Sequence, residues 1–253
     1  MFVSTTRIYD RPTSSTFTYS ESIRYLLEKF EEVAWINAET NGFGLRNDSR
    51  GYGWFLIKYS LSFEENIDLS CMSIKTWPYF TGGVSCGRGF EMSNSDGVKL
   101  VEADSLWGLV DIKSERILSP YKVFSINMDS VSTTGVKKFI FPRFNFTFDT
   151  KLCSGKSSID VNKLNMIDTN KHVNNTNYIV FLLDPIDKDF YHTHYISHID
   201  IHYKKQILYG SKIQSIFIYD PNIKTTEHSI VDITSGQVYC QARMIWNRRS
   251  SIK

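Results

Sequence analysis

Two segments of this 253-residue chain match each other: GVKLVEADSLW places Gly97, Ala103 and Trp107, and GQVYCQARMIW places Gly236, Ala242 and Trp246, so both read G-x5-A-x3-W. The displacement is 236 minus 97, or 139 residues. Upstream, Phe63 and Ile67 line up with Tyr203 and Ile207 at nearly the same distance. A displacement slightly over half the chain is the mark of a duplicated unit, and each copy then has an ordinary domain size. The chain divides into an N-terminal domain at 1–130, then a linker and a C-terminal domain at 131–253.

Periodicity predicts the same order of elements in both copies. Ser20 or Ser22 is placed to cap a helix through Ile23, Leu26, Leu27, Phe30, Val33, Ala34 and Ile36, whose three- and four-residue spacing makes one apolar face. A shorter helix is expected from Asn175 to Leu183, before Pro185. Strands follow the first helix in WFLIKYSLSF, IDLSCMSIKTW, SCGRGFEMS and KLVEADSLWGLVDI, and the second in YISHIDIHY, KIQSIFIYD, EHSIVDIT and QVYCQARMIW. A helix followed by an antiparallel sheet, twice, is an α+β layout. Residues 129–155 fit neither copy and read as the connector, with the alternating FNFTF laid along the surface.

The charge balance, 29 Lys and Arg against 27 Asp and Glu, lacks the basic excess of a nucleic-acid binder. Cys71, Cys86, Cys153 and Cys240 are too far apart for a C-x-x-C site, so free buried thiols are expected and no metal. The opening MFVSTTRIYDRP has no apolar leader core and no stretch is long enough to cross a membrane. The expectation is a cytoplasmic protein without membrane insertion, acting as a monomer or homodimer.

The most informative string is DTNKHVNNTNY, from Asp168 to Tyr178, followed by the apolar IVFLL. It sets a carboxylate, an amide and an imidazole at alternate positions just before a helix. In an extended loop, Asp168, Asn170 and His172 would share one face. The N–H groups of the helix start, near Val173, Asn174 and Asn175, would cradle a carbonyl oxygen gaining negative charge. Such an arrangement suits acyl transfer or ester hydrolysis.

DTNKHVNNTNY resembles the D-x-N-x-H-V-N-N-x-x-Y signature of the acyl-ACP thioesterases, of the plant and bacterial types. WPYFTGGVSCGRGFEM, the G-x5-A-x3-W strands and YKKQILYGSKI occur in that family's order, so the resemblance covers nearly the whole chain. It implies two tandem hotdog domains, each a long helix wrapped by an antiparallel β-sheet. It further implies hydrolysis of acyl-ACP thioesters to release free fatty acid and end fatty-acid synthesis, without a cofactor and with acyl carrier protein as partner. An acyl-CoA thioesterase and a catalytically weakened acyl-binding protein are the alternatives.

Carried over, Asp168, Asn170 and His172 become catalytic, and the first copy, which lacks a counterpart motif, supplies the acyl-binding cavity. Where relatives carry Glu, this chain has Gln206, within Lys205-Gln206-Ile207. Glu accepts a proton, whereas Gln only orients water by hydrogen bonds. Ile207 stands where some relatives have Cys and excludes a cysteine nucleophile. The expected mechanism is direct attack by water, with Asp168, alone or through His172, as base, Asn170 positioning, and Gln206 holding the water.

Other features read as structural. His198 and His202 share a strand face with Asp200, Lys204 and Gln206, and that alternation makes them, like His192 and His194, the wet side of a sheet rather than metal ligands. Gln206 must leave that face to reach a site, which calls for a bulge. GGVSCGRGF lacks the Gly-Lys-Ser/Thr ending of a phosphate loop, and Arg88 within it reads as structural. Lys137-Lys138, Lys204-Lys205 and Arg248-Arg249 form local basic pairs suited to an acidic carrier.

Overall fold

The computed structural model of the chain describes residues 3–10, 17–45, 51–67, 69–81, 83–125, 139–148, 152–168 and 171–250. They gather into two units. One draws on the described residues of Met1–Ser15, Glu28–Leu61 and Asn66–Phe141, the other on those of Thr16–Leu27, Ser62–Glu65 and Pro142–Lys253.

The first unit contains β1 (Thr5–Asp10), most of α1 (Tyr19–Thr40), β2 (Tyr52–Phe63), β3 (Cys71–Phe80), β4 (Ser85–Ser93), β5 (Lys99–Asp111), β6 (Arg116–Leu118) and the single turn α2 (Pro120–Val123). Its strand order is β1-β3-β4-β5-β2, with β6 added to β5. Helix α1 begins at a capping box one turn earlier than Ser22. Thr18 Oγ1 accepts the Glu21 N–H at 3.4 Å, and Glu21 Oε2 accepts the Thr18 N–H at 2.9 Å. Those backbone and hydroxyl bonds hold the Glu21 carboxyl below its usual range. Neither Ser20 nor Ser22 is the cap, because Thr18 lies three residues before the glutamate. The apolar face runs through Ile23, Leu26, Leu27, Phe30, Val33 and Ala34 as expected, but ends on Asn37, fully buried, rather than on Ile36.

Strand β4 contains two glycines for a packing reason. Gly89 lies opposite Trp77 and Gly87 opposite Tyr79 in the β3–β4 register. A Cβ on Gly89 would sit 2.5 Å from the Trp77 indole, and one on Gly87 would run into the Tyr79 ring. The aromatic rings of β3 lie flat across the bare backbone of β4. Phe90, next to Gly89 and on the other face, stacks on Phe30 of α1 at 4.7 Å.

The second unit contains β7 (Gly155–Asp160), α3 (Tyr178–Leu183), α4 (Phe190–Thr193), β8 (His194–Tyr203), β9 (Lys212–Asp220), β10 (Thr225–Asp232) and β11 (Val238–Arg248). Its strand order, β8-β11-β10-β9-β7, is the order of the first unit with each strand replaced by its counterpart. The expected helix from Asn175 is a 3-10 turn at Asn175–Asn177 running into α3. In the aromatic segment, Phe144 stacks on His202 at 3.9 Å and on Phe146 at 4.8 Å. Gln241, fully buried, donates to the Phe146 carbonyl at 2.7 Å and accepts the Phe146 N–H at 3.3 Å. Residues 129–138 and 149–151 of the connector, Lys137 and Lys138 among them, lie outside the described residues.

Candidate functional site

The motif folds as a tight reversal. Ile167 and Val173 form an antiparallel bridge, and between them the Asp168 N–H donates to the His172 carbonyl at 2.7 Å. The Lys171 N–H donates back to the Asp168 carbonyl at 3.1 Å, and Lys171 holds a left-handed φ of 66°. The Asp168 carboxylate Oδ1 accepts the His172 N–H at 3.0 Å. The alternate-position argument therefore does not describe this loop: the chain turns, and the turn itself is what brings Asp168 to His172. Asn170 lies outside the described residues.

A second segment runs beside the first. His172 bridges Leu208, and the Val173 N–H donates to the Ile207 carbonyl at 2.9 Å, so Gln206 is carried next to the reversal. Strand β8 ends at Tyr203, and the N–H groups of both Lys204 and Lys205 donate to the one carbonyl of Tyr239. Two consecutive donors on one acceptor is the signature of a bulge, and it takes Gln206 out of the alternation of β8. Gln206 is exposed, whereas Ile207 is fully buried.

Tyr178 fastens these two segments together. Its hydroxyl donates to the Lys205 carbonyl at 3.3 Å and accepts the Ile207 N–H at 3.0 Å. Burial pushes this phenol well above its usual range, so it stays a donor throughout the physiological pH scale. Tyr203 packs edge-on against Tyr178 at 5.2 Å and donates to the Asn175 carbonyl at 3.4 Å. The final Tyr of the signature was visible in the sequence, but its role was not.

The expected cradle of N–H groups is largely committed. Val173 donates to Ile207 and Asn174 to the Met166 carbonyl at 2.9 Å, so neither is an open donor. The Asn174 side chain caps the 3-10 turn, accepting the Thr176 N–H and hydroxyl at 2.8 Å. Asn177, also buried, donates to the Met166 carbonyl at 3.1 Å. Among the described residues, the Asn175 N–H is the one of the three without a carbonyl partner.

His172 is partly exposed, but its Nδ1 is buried and has no hydrogen-bond partner among the described residues. An orphaned acceptor costs less than an orphaned N–H, which places the proton of neutral His172 on Nε2.

The remaining histidines have structural contacts. His198 lies between the Ser62 hydroxyl, 3.0 Å from Nδ1, and Asp200, 3.2 Å from Nε2. His194 stacks on Phe190, His202 stacks on Phe144, and His192 is exposed near Asp189. No group of three potential metal ligands occurs among the described residues. Of the basic pairs, Lys204 bonds the Asn145 side chain, and Arg249 donates to the Tyr191 carbonyl at 3.0 Å and lies over the rings of Tyr19 and Tyr195. Lys205 and Arg248 stay exposed. No helix among the described residues is long and apolar enough to cross a membrane.

Comparison with known proteins agrees with this architecture. The fold matches the 12:0-ACP thioesterase of Umbellularia californica, at 16% identity and a TM-score of 0.76 over 97% of this chain and 98% of that one. It also matches an acyl-ACP thioesterase of Bacteroides thetaiotaomicron, at 18% identity and a TM-score of 0.76 over 96% and 98%. The chain therefore has the double hotdog fold that the resemblance implied. In sequence it is 25% identical over 179 residues to the chloroplastic palmitoyl-acyl carrier protein thioesterase of Gossypium hirsutum. That alignment takes in 67% of this chain but only 40% of the cotton protein. The acyl-ACP thioesterase N-terminal domain matches residues 6–122 and the acyl-ACP thioesterase C-terminal domain residues 156–248. With both domains matched in order, the chain belongs to the acyl-ACP thioesterase family.

Proposed function

We propose that this protein hydrolyses the thioester of acyl chains carried on acyl carrier protein, releasing the free fatty acid and ending chain synthesis in the cytoplasm. The observation that carries the reading is the reversal that sets Asp168 against His172 and lays both beside Gln206. The second unit bears this site, and the first unit, which has no matching motif, binds the acyl chain.

Water is the nucleophile. Asp168 takes its proton as the oxygen bonds to the thioester carbon, and Gln206 holds the water by its amide. The Asn175 N–H is the backbone donor available to the carbonyl oxygen as negative charge develops there. Collapse of the tetrahedral adduct breaks the C–S bond. The departing thiolate takes up, through solvent, the proton that Asp168 acquired from water, while the Nε2–H of His172 donates a hydrogen bond to the sulfur. Asn170 is the further polar group assigned to position the water.

The test is turnover on acyl-ACP and acyl-CoA of equal chain length, across short to long chains. Faster hydrolysis of the ACP series supports the reading, and preference for CoA assigns the other carrier. Binding without turnover of either makes the protein an acyl-binding relative, a result toward which an amide at position 206 would point.

A further inference from the structure

Among the described residues, Arg88 is a buried cation without an ion-pair partner. It retains 8% of its surface, and the ionisable groups that act on it are Tyr59 and Cys86, with no carboxylate among them. Its surroundings lower the guanidinium only to about 10, by burial, so it stays charged at neutral pH.

The residues around it are arranged to fix one end of the group. Nη1 donates to Asn37 Oδ1 at 2.8 Å and to Thr76 Oγ1 at 3.2 Å, which uses both of its hydrogens. Asn37 is itself immobilised, since its amide nitrogen donates to the Val3 carbonyl at 2.8 Å and to Thr5 Oγ1 at 2.9 Å. Thr76 donates to the Gly89 carbonyl at 2.9 Å and so is free to accept from the arginine. The Nε and Nη2 hydrogens have no partner among the described residues. Together Nε and Nη2 form the side edge of the guanidinium, two parallel N–H groups that match the two oxygens of a carboxylate.

A second group nearby is also unsatisfied. The Tyr59 hydroxyl is fully buried and has no hydrogen-bond partner among the described residues, and it lies within electrostatic reach of Glu31 and Asp104 as well as of Arg88. An orphaned buried hydroxyl is costly, and a ligand seated on the open edge of the guanidinium within its reach would complete it.

We propose that the first unit holds a carboxylate-binding site at Arg88, and that the ligand it takes is an acyl chain bearing a second carboxylate. The side edge of Arg88 takes the two oxygens, and the Tyr59 hydroxyl donates to one of them. The acyl part of this ligand rests on the thioesterase reading; the carboxylate part rests on Arg88 and Tyr59 alone.

The experiment measures binding, by calorimetry, of unreactive pantetheine amides to the full chain. Plain chains are compared with chains of equal length ending in a carboxylate, over a graded series of lengths. The expected result is a preference for the carboxylate-ended chain of about tenfold or more at one length. Arg88→Met abolishes that preference, and Arg88→Lys, which keeps the charge but not the paired edge, keeps only part of it. Tyr59→Phe, a nearly isosteric change, lowers the preference severalfold and serves should the Arg88 variants fail to fold. Equal binding of both series at every length, or a preference untouched by Arg88→Met and Tyr59→Phe, overturns the proposal. Binding preference with no hydrolysis of any thioester would remove the thioesterase reading and leave the site standing.

Discussion

Replacing Asp168 by asparagine separates the two tasks assigned to its carboxylate. One task is structural: Oδ1 accepts the His172 N–H at 3.0 Å inside the reversal. An asparagine carbonyl oxygen occupies the same place, so Asp168→Asn keeps the loop, and Tm should move by about 2 °C or less. The other task is to take a proton from water, which an amide cannot do. Loss of a general base lowers turnover by about 10²- to 10⁴-fold, or about 2.7 to 5.4 kcal/mol of barrier. Asp168→Ala loses both roles, and the missing acceptor adds a cost of about 1 kcal/mol, seen as a Tm lower by about 2–4 °C in a protein of this size. The assay is steady-state release of carrier thiol from acyl-ACP, run with thermal melts of the same preparations. Turnover of Asp168→Asn within about threefold of the parent would refute the assignment of Asp168 as base.

Gln206→Glu should change turnover by less than about tenfold, because the base is placed at Asp168; a gain near 10² would make a carboxylate at 206 the base instead. Gly89→Ala puts a methyl 2.5 Å from the Trp77 ring and should cost about 1–3 kcal/mol in denaturant unfolding, whereas an unchanged midpoint would dismiss the ring-over-glycine account. His228 is wholly buried, and desolvation lowers its imidazole to about 3, against a slight opposing pull from the Leu182 backbone. The unfolded chain therefore binds a proton near the ordinary pKa of about 6.5 that the folded chain refuses, and stability falls as pH drops from about 6.5 toward 3, by up to about 1.4 kcal/mol per pH unit. His228→Gln should flatten that slope in denaturant melts taken across this window, and an unaltered slope would count against it.

The duplicated architecture was legible because the repeated residues do the same physical work twice. Gly97 and Gly236 both adopt positive φ, 78° and 70°, in the turns that lead into β5 and β11. Ala103 and Ala242 are both buried, at 3% and 0%. Strands β5 and β11 start 139 residues apart, at Lys99 and Val238, the displacement measured on the sequence. Strands β1 and β7 escaped notice because they bury little: TTRIYD is mostly exposed and GKSSID alternates exposed with half-buried, so neither shows an apolar stripe. Helix α1 was readable from its apolar spacing, yet its last buried position is Asn37, a polar residue recruited by Arg88, which no hydrophobic period announces. At the site, residue types were visible and geometry was not. The left-handed Lys171 and the bulge at Lys204 and Lys205 depend on backbone bonds that leave no mark in side-chain patterning.

The grip of Gln241 on residue 146 is made wholly to main-chain atoms. The clamp therefore measures position along the connector and is indifferent to what is written there. Arg143 and Thr147 face outward and are open to change, Asn145 faces outward with its side chain bonded to Lys204, and Phe144, Phe146 and Phe148 alternate inward behind the clamp. A substitution in this stretch alters one contact, but a single residue inserted or deleted between 144 and 146 would turn Phe144 toward solvent and expose the ring of His202. This stretch of the connector should drift in letters and not in length.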